Sequence, residues 1–443
     1  KSTYSGLGWD FVEAWMWDVD TLLPRIKYVA PEEMPNRITS TFYGDPGTQR
    51  AFTWYQALTN AVEPGAIVST DPRFPDDATA TFAASSEESN EGETIYRVVA
   101  TGLAPGMTYY YRVGDTFTGR WSENGSFQTA DGDDDFSFIG IADTQARGGG
   151  ADAVVSAKTI AQALRTVPES EFIVHAGDVV QVSDDELDWS DMLGAAQESL
   201  LASTMAPVSG NHDSAPDEFT QHFTLQASGD QNTSAGVYYS YDYNDAHFVM
   251  LNTNEGRGGC QLHGFGNPEG CEIISDEQFE WIREDVGAAR DNGAKWIILT
   301  THKGPYTAGA HPFDEEIMGM RERLVPLIDE LDIDLVLQGH DHYWSRTKEL
   351  FSDPSSPVKA RAADPEAEVI EEVIGGVRVE YKVDPEGTLF VNPGTAGAKH
   401  YSQLEDGHPE EISEDDYLGL FERLGGGLSA SRATPTRRSS RSR

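Results

Sequence analysis

Beyond residue 135, the chain contains five short apolar runs that each lead into a side chain able to bind a metal ion. The side chains that follow these runs are Asp143, Asp178, Asn211 with His212, His302, and His340 with His342. Patterns typical of helices separate most of the runs, over residues 151–166, 191–203, 276–292 and 315–331. Buried strands that alternate with helices indicate an α/β domain. Ligands of such sheets collect beyond the carboxyl ends of the strands, so the sequence predicts that these side chains share one site.

A glycine stands immediately before three of these positions, as Gly177, Gly210 and Gly339. Because glycine has no Cβ, the backbone can turn sharply there and direct the next side chain toward a shared site. His340 and His342 are two residues apart, and an extended strand would place both side chains on one face. We also expect a turn here, because Gly339 directly precedes the pair and lets the backbone leave the strand toward the site.

The two Asp, one Asn and three His of this pattern form a mixed oxygen and nitrogen donor set. Such a set suits iron, manganese or zinc and does not resemble a thiolate site. Six donors exceed what one tetrahedral ion needs, whereas two ions about 3.5–4 Å apart, bridged by one Asp, would use them all. Taken singly the signals are weak, since an Asp at a strand end often caps a helix or a turn. The ordered set of five clusters is what indicates a dinuclear metal centre.

Between residues 35 and 130 the sequence changes to short β-like runs separated by turns rich in Gly and Pro. The candidate strands lie at residues 37–43, 51–56, 95–100, 108–113 and 126–129. Regular short strands with this punctuation predict an antiparallel β-sandwich. The acidic run at residues 131–135 predicts a solvated junction before the α/β domain.

These patterns divide the chain into an N-terminal extension at 1–34, a sandwich domain at 35–130, an α/β domain at 136–400 and a C-terminal extension at 401–443. Within the α/β domain, residues 355–387 are hydrophilic and predict a hairpin or an insertion. From Gly425 onward the extension is rich in Gly, Ser and Arg, which is typical of a disordered tail.

The composition is strongly acidic, with 32 Lys and Arg against 74 Asp and Glu and a net charge of −42. Only nine of the cations are Lys. A surface of this charge repels phosphate backbones, which argues against a nucleic-acid-binding protein. It fits a protein that stays soluble in high salt, where the charges are screened. No apolar stretch reaches the roughly 18 residues that a membrane-spanning helix needs.

The only two cysteines, Cys260 and Cys271, lie eleven residues apart in a Gly-rich stretch. A pair that closes a short loop is interpreted as a disulfide, which requires an oxidising compartment. The alternative is two unrelated thiols. The sequence begins at Lys1 and not at Met, which we interpret as processing of the N-terminus. Together these features predict a secreted or extracytoplasmic protein.

The ordered motifs resemble those of the calcineurin-like metallophosphoesterases. The residues that carry this resemblance are Asp143-x-Gln145, Gly177-Asp178, Gly210-Asn211-His212-Asp213, His302 and Gly339-His340-x-His342. The preceding sandwich, with Asp45-Pro46 in an early turn and the motif Gly102-Leu103-x-Pro105-Gly106, is similar to the N-terminal domain of purple acid phosphatases. The resemblance covers residues 35–400. It implies a fibronectin-III-like antiparallel β-sandwich followed by an α/β metallophosphoesterase domain with an α+β sandwich architecture.

The resemblance also implies a role for each motif residue. Asp143, Asp178 and His342 would bind a first metal ion. Asp178 would bridge to a second ion, whose other ligands would be Asn211, His302 and His340. His212 would be the catalytic residue, placed near the leaving-group oxygen as proton donor or transition-state stabiliser. Asn211 and His311 would contact the substrate.

Three positions depart from the expected patterns. Gln181 stands three residues after Asp178, where purple acid phosphatases supply a Tyr phenolate to the first ion. Gln145 stands where many other metallophosphoesterases have a His, although purple acid phosphatases also use Gln there, and Pro312 replaces a second His after His311. Without a phenolate, no Fe(III) charge-transfer colour is expected. A divalent pair and a mixed pair of ions both remain open.

The expected function is hydrolysis of a small phosphate monoester by attack of a metal-bound hydroxide. One alternative is a phosphodiesterase or nucleotidase on the same site, because substrate choice lies in loops such as 254–270 and 307–316. A second alternative is a non-catalytic surface binding protein, which would be expected to have lost at least one of the six ligands. The oligomeric state is left open.

Overall fold

The computed structural model of the protein describes residues 15–18, 23–26, 34–56, 61–132, 135–145, 150–214, 218–228, 236–255, 273–363, 369–374, 377–382, 385–404 and 412–425. Two features discussed above, the Cys260–Cys271 pair and the Arg-rich tail from residue 426, lie outside these ranges. The disulfide and the disordered tail therefore stay predictions.

The helices in the described ranges are α1 Gly150–Thr166, α2 Glu186–Leu201, α3 Glu218–His222, α4 Asp276–Asp291, α5 Glu315–Glu330 and α6 Glu414–Leu418. The strands are β1 Trp15–Asp18, β2 Leu23–Ile26, β3 Asn36–Thr41, β4 Gln49–Gln56, β5 Pro64–Ser69, β6 Thr79–Ala83, β7 Ser85–Glu88, β8 Thr94–Thr101, β9 Thr108–Asp115, β10 Arg120–Trp121, β11 Gly125–Gln128, β12 Phe138–Ile141, β13 Phe172–His175, β14 Thr204–Pro207, β15 Tyr239–Tyr243, β16 Ala246–Met250, β17 Trp296–Thr301, β18 Leu335–Gln338, β19 Trp344–Thr347, β20 Leu350–Ser352, β21 Ala360–Ala362, β22 Val369–Ile374, β23 Val377–Lys382, β24 Leu389–Asn392 and β25 Phe421–Gly425. None of these helices has both the length and the hydropathy that crossing a bilayer requires.

The β-sandwich predicted near the N-terminus is present and encloses an aromatic core. One sheet has the order β10-β9-β5-β6 with β11 paired to β9, and the other contains β3-β4-β8-β7. β4 is buried on both faces because it lies between two packed layers. Phe52 faces the sandwich core and stacks on Tyr111 at 4.3 Å between ring centroids. The next residue, Thr53, faces the other way, and its hydroxyl lies 2.8 Å from that of Thr224 in the following domain.

The sandwich and the α/β domain share one continuous sheet, with the order β12-β13-β14-β3-β4-β8-β7. The connection is parallel pairing of Thr41 on β3 with Met205 on β14. The Gln197 side chain of α2 supports this connection, because it accepts from Ile38 N at 2.8 Å and donates to Ile38 O at 3.0 Å. Unpaired strand edges are costly to leave exposed. The joint between the domains is therefore a hydrogen-bonded sheet, in addition to the acidic segment that the sequence indicated.

The α/β domain packs two sheets face to face and covers each with helices. β12, β13 and β14 are parallel to one another, as are β16, β17, β18 and β24. Phe172 of β13 meets Phe248 of β16 between the sheets, with ring centroids 5.5 Å apart. α1 and α2 pack on the outer face of the first sheet, and α4 and α5 pack on the outer face of the second. This four-layer arrangement confirms the predicted α/β sandwich class.

Capping side chains mark the starts of two of the helices. α2 begins at Glu186, five residues before the predicted start at 191, and the Asp185 carboxylate accepts from Leu187 N at 3.0 Å. α4 begins where predicted, with Ser275 Oγ accepting from Gln278 N at 3.1 Å. Each cap satisfies an N–H group that the helix itself leaves unpaired.

Residues beyond the predicted boundary at 400 contribute to the α/β domain. β25 pairs with β19 and completes the second sheet. The buried Tyr417 of α6 donates its hydroxyl hydrogen bond to Thr307 O at 2.8 Å. Within the predicted hydrophilic segment, β22 and β23 form an antiparallel hairpin, one of the two forms that the sequence allowed.

One buried charge at the edge of the second sheet lies far from the candidate site. His247 of β16 places Nδ1 2.7 Å from Asp242 of β15 and Nε2 2.8 Å from Asp285 of α4. Burial lowers the pKa of His247, but the hydrogen bonds to the two carboxylates outweigh it and raise the pKa to about 9. The protonated imidazole therefore joins β15, β16 and α4.

We predict that this group makes folding stability depend on pH. Because the folded pKa lies above the unfolded value, the stabilisation is complete below about pH 6.5 and is lost as pH rises through about 9. His247→Gln should remove about 3 kcal/mol of the difference in unfolding free energy between pH 6 and pH 9.5. Urea unfolding of both proteins at the two pH values measures this. Asp285→Asn should reduce the same pH dependence, and parallel pH curves for all three proteins would contradict the assignment.

Candidate metal centre

The parallel strands bring the predicted side chains to one edge of the two sheets. Asp143, Asp178 and Asn211 follow β12, β13 and β14, and His302 follows β17. Main-chain hydrogen bonds join the loops directly, from Asp143 N to Gly177 O at 2.9 Å and from Gly339 N to His302 O at 2.9 Å. Two further bonds join the loops of one sheet to those of the other, from His302 Nδ1 to Ala176 O at 2.8 Å and from His340 N to Asp143 Oδ1 at 3.1 Å, so strand ends of both sheets meet at this edge.

Two groups of side chains there could each hold an ion, and they have one carboxylate in common. The first group is Asp143, Asp178 and His342, and the second is Asp178, His302 and His340, with the donor atoms of each group within 4.8 Å of one another. In the first, His342 Nε2 lies 3.6 Å from Asp143 Oδ1. In the second, His302 Nε2 lies 3.3 Å from Asp178 Oδ1. Asn211 joins the second group, since its Oδ1 lies 3.0 Å from the same His302 nitrogen.

The backbone at these positions is strained in the way that functional loops often are. Asp143 and Asp178 both have a φ of 55°, and His340 has a φ of 70°. The left-handed region is unfavourable for side chains with a Cβ, and it persists where the surrounding structure fixes it. Asp341 N donates to Gly339 O at 2.8 Å, which is the turn expected between His340 and His342. This turn lets one chain segment supply both groups.

Hydrogen bonds on the far side of two imidazoles fix which nitrogen faces the carboxylates. His302 Nδ1 donates to Ala176 O at 2.8 Å, and His342 Nδ1 donates to Lys399 O at 2.7 Å. Each Nε2 is thereby presented to the site, as in metal-ligating histidines. Burial lowers the pKa of His342 to about 3 and lowers that of His340 as well. Both are therefore neutral near pH 7, which is the form that binds a metal ion.

The charges of the two buried carboxylates are balanced unequally. Burial raises the pKa of Asp143 well above its usual value. Burial acts in the same direction on Asp178, but the positive charge of His302 and its hydrogen bond outweigh it and lower the Asp178 pKa. For the imidazole of His302, burial lowers the pKa. The negative charge of Asp178 and its hydrogen bond outweigh burial and raise the pKa of His302 to about 9. The positive charge of His302 thus offsets the negative charge of Asp178.

A further observation indicates that this donor set suits metal ions. Asp143 Oδ2 is buried and accepts no hydrogen bond from any residue in the described ranges. A buried carboxylate oxygen without a donor is costly, and a bound cation is one way to satisfy it. Two carboxylates, an amide oxygen and neutral imidazoles suit first-row divalent or trivalent ions.

His212 lies beside the shared carboxylate. Its main-chain N–H donates to Asp178 Oδ1 at 2.8 Å, and burial lowers the pKa of its side chain. His212 Nδ1 donates to the main-chain oxygen of Gln181 at 2.8 Å, and the Gln181 side-chain amide lies 2.8 Å from the same nitrogen. Gln145 Nε2 in turn donates to Gln181 Oε1 at 3.3 Å. Gln181 therefore contacts the imidazole of His212 and the amide of Gln145.

His311 lies on the side of the second group. Its ring centroid is 4.6 Å from that of His340, and its Nδ1 lies 2.9 Å from Asp314 Oδ2. Burial lowers the pKa of His311, but the hydrogen bond to Asp314 outweighs it and raises the pKa. The predicted substrate-side histidine is thus adjacent to the candidate centre.

Two further carboxylates hold the loops of the site. The sequence predicted no role for either of them. Asp213 accepts hydrogen bonds from Val179 N, Val180 N and Gly210 N at 2.9–3.0 Å. Asp341 accepts from Ala310 N at 2.7 Å and so fixes the loop that carries His311. Asp213 was visible as the last residue of the Gly-Asn-His-Asp motif. Asp341 stood between two candidate ligands and gave no separate signal.

The segment that follows β24 also reaches the site, although no sequence pattern predicted it. Thr395 Oγ1 donates to Asp143 O at 2.8 Å, and Gly397 N donates to the same oxygen at 3.1 Å. The ring of Tyr401 lies 4.6 Å from that of His342. This segment forms a wall beside the first group of ligands.

Comparisons with known proteins agree with this architecture. Residues 136–344 match the family described as calcineurin-like phosphoesterase, and residues 35–129 match the purple acid phosphatase N-terminal domain. Purple acid phosphatase 23 of Arabidopsis thaliana is 24% identical over 301 residues, which cover 61% of this chain and 62% of the relative. An uncharacterized protein of Mycobacterium tuberculosis is 25% identical over 170 residues, covering 37% of this chain and 31% of that protein.

Solved structures show the same fold. The purple acid phosphatase PPD1 from yellow lupin (Lupinus luteus) seeds superimposes with a TM-score of 0.64 at 16% identity, covering 87% of this chain and 70% of that chain. The structure of PhoD superimposes with a TM-score of 0.56 at 13% identity, covering 84% of this chain and 79% of that chain. The chain spans less than two thirds of the length of the Arabidopsis relative.

We predict that Gly210→Ala disrupts the centre. A Cβ at residue 210 would lie 2.1 Å from Asp178 Oδ1 and 2.2 Å from Asp178 N, so the shared carboxylate must move. Displacing such a supported ligand should lower metal affinity by about 10- to 100-fold. The overpacking should lower the unfolding free energy by about 1–3 kcal/mol.

Gly287→Ala is the matched control, because a Cβ at this position of α4 meets nothing within 4 Å. It should leave metal content unchanged and add about 0.5–1 kcal/mol of stability through helix propensity. Elemental analysis and urea unfolding measure both effects. Equal metal content in the two variants would contradict the importance of the Asp178 position.

Proposed function

We propose that this chain, which is homologous to purple acid phosphatases and carries a calcineurin-like phosphoesterase domain, hydrolyses phosphate monoesters at a dinuclear metal centre. The observation that carries the proposal is the buried Asp178 carboxylate, which belongs to two adjacent groups of metal-competent side chains. Paired ions about 3.5–4 Å apart that share a ligand are typical of phosphoryl-transfer sites.

In this proposal, Asp143, Asp178 and His342 hold one ion of iron, manganese or zinc. Asp178, Asn211, His302 and His340 hold the other. When bound, the two ions supply positive charge to the phosphate oxygens and lower the pKa of water at the site. Oriented charges in a water-poor pocket are commonly the largest catalytic contribution. The chain supplies the pocket, because both carboxylates and His302 are fully buried.

His212 is proposed to donate a proton to the leaving-group oxygen. Its main-chain bond to Asp178 holds it beside the shared carboxylate, and its Nδ1 is engaged by Gln181 O. Nε2 is then the nitrogen that can carry the transferred proton. The lowered pKa makes the protonated imidazole of His212 a stronger acid but reduces the fraction that is protonated near neutral pH, so the donor role is favoured toward acidic pH. Asn211 and His311 are proposed to orient the phosphate.

Gln181 occupies the position of the phenolate ligand in purple acid phosphatases. Its amide is engaged with His212 and Gln145, and a neutral amide does not favour Fe(III) as a phenolate does. We therefore propose a divalent or mixed pair of ions without a tyrosinate-to-iron colour. A non-catalytic binding protein is disfavoured because all six ligand positions keep their donor side chains.

Metal content and turnover test the proposed function together. Protein prepared with ample iron, manganese and zinc should contain about two ions per chain and hydrolyse p-nitrophenyl phosphate. Asp178→Asn should lose most of both ions, because the carboxylate is common to both groups. A parallel assay with bis(p-nitrophenyl) phosphate separates monoester from diester hydrolysis. A metal-free preparation, or an active Asp178→Asn protein, would overturn the proposal.

The role of His212 is tested by changing the leaving group. Loss of a proton donor matters most for a poor leaving group, so His212→Ala should lower kcat for an alkyl phosphate by about 10²–10⁴-fold. The loss for p-nitrophenyl phosphate should be much smaller, because nitrophenolate leaves without a proton. Gln162→Ala, which shortens an exposed side chain on α1, is the control. Equal losses on the two substrates would refute the proton-donor role.

A further inference from the structure

The segment from Lys399 to Tyr401 is held against the candidate centre by its backbone. Lys399 O accepts the hydrogen bond from His342 Nδ1 at 2.7 Å. Tyr401 N donates to His342 O at 3.1 Å. The position of this segment is therefore fixed by His342 itself and does not depend on the Lys399 side chain.

The Lys399 side chain lies along an aromatic wall that borders both groups of ligands. Its Nζ is 5.2 Å from the centroid of the Tyr401 ring. That ring lies 4.6 Å from the ring of His342 and 5.6 Å from the ring of His311. Burial is the main cause of the lowered pKa of His342 and of His212, and the positive charge of Lys399 adds to it in both. The ammonium group therefore lies along the Tyr401 ring, at the His342 end of the site.

Four other lysines in the described ranges are paired with carboxylates, whereas Lys399 is not. Lys295, Lys303, Lys359 and Lys382 each have a carboxylate oxygen within 4.0 Å. Lys303, which follows the candidate ligand His302, is paired with Glu316 at 2.9 Å. Across the described ranges, no carboxylate lies that close to Lys399 Nζ. In a protein with 74 acidic residues and nine lysines, a half-buried ammonium beside the site is available to bind an anion.

We propose that Lys399 binds an anionic oxygen of the substrate phosphate and selects the dianion of a monoester over the monoanion of a diester. The proposal rests on the proposed function and specifies its substrate class. A monoester carries close to two negative charges near neutral pH, so it gains more from a local cation than a diester does. The field of an acidic protein also repels the dianion more strongly. A cation within the pocket offsets that repulsion where the substrate binds.

The test compares Lys399→Met with Lys399→Arg and with Lys158→Met, which removes one exposed positive charge from α1. Lys399→Met should weaken inorganic phosphate binding to the metal-loaded protein, measured by calorimetry, by about 10- to 100-fold. It should lower kcat/KM for p-nitrophenyl phosphate by a similar factor and change the diester far less. Lys399→Arg should recover most of both losses, and Lys158→Met should match the unsubstituted protein.

Metal content of each variant is measured first, because the main-chain bond to His342 should keep it unchanged. Equal losses on the monoester and the diester, or unchanged phosphate affinity in Lys399→Met, would overturn the role of Lys399. Failure of the unsubstituted protein to hydrolyse either ester would contradict the proposed function instead. The phosphate affinities of Lys399→Met and Lys399→Arg would still decide whether Lys399 is the anion-binding residue.

Discussion

The constraint on which the site depends is the burial of two neighbouring carboxylates, Asp143 and Asp178. Two adjacent anions are unstable away from water unless positive charge or hydrogen-bond donors compensate them. The protein supplies both, through the N–H groups of His212 and His340 and the imidazole of His302. One oxygen of Asp143 still lacks a donor among the described residues. This incomplete balance supports the proposal that a cation binds here, since an ordinary network of buried ion pairs would satisfy both oxygens.

The fold brings the two buried carboxylates and the groups that compensate them to the same place. Parallel strands in two packed sheets bring their carboxyl ends to the same edge, so loops far apart in the chain can share one pocket. Asp213 and Asp341 then tie these loops together with main-chain N–H donors. Groups positioned by rigid strands and by supporting hydrogen bonds keep their places better than groups on free loops. The strained φ angles at Asp143, Asp178 and His340 are tolerated because the sheets hold both ends of each turn.

Much of this arrangement could be predicted from sequence, because apolar runs report burial and the polar residue after each run reports a strand end. The α/β class and the turn between His340 and His342 follow from that reading. Contacts that depend on a tertiary partner could not be predicted. Pairing of β3 with β14 depends on Gln197 reaching Ile38 across 159 positions, and no local pattern encodes it. Lys399 is similar, since tertiary hydrogen bonds, among them those with His342, bring its segment to the site.

The acidic surface is compatible with an anionic substrate because the surface charges and the cations of the pocket act over different distances. Exposed charges separated by more than about 8–10 Å are largely screened at physiological ionic strength, and screening increases with salt. Cations inside a water-poor pocket act over a few ångströms, where salt screens little. A phosphate that reaches the pocket would therefore interact mainly with bound ions and with Lys399, and only weakly with the distant carboxylates. By this reasoning the net charge of −42 chiefly affects how fast an anion arrives, most strongly at low salt, while the pocket determines how tightly it is held.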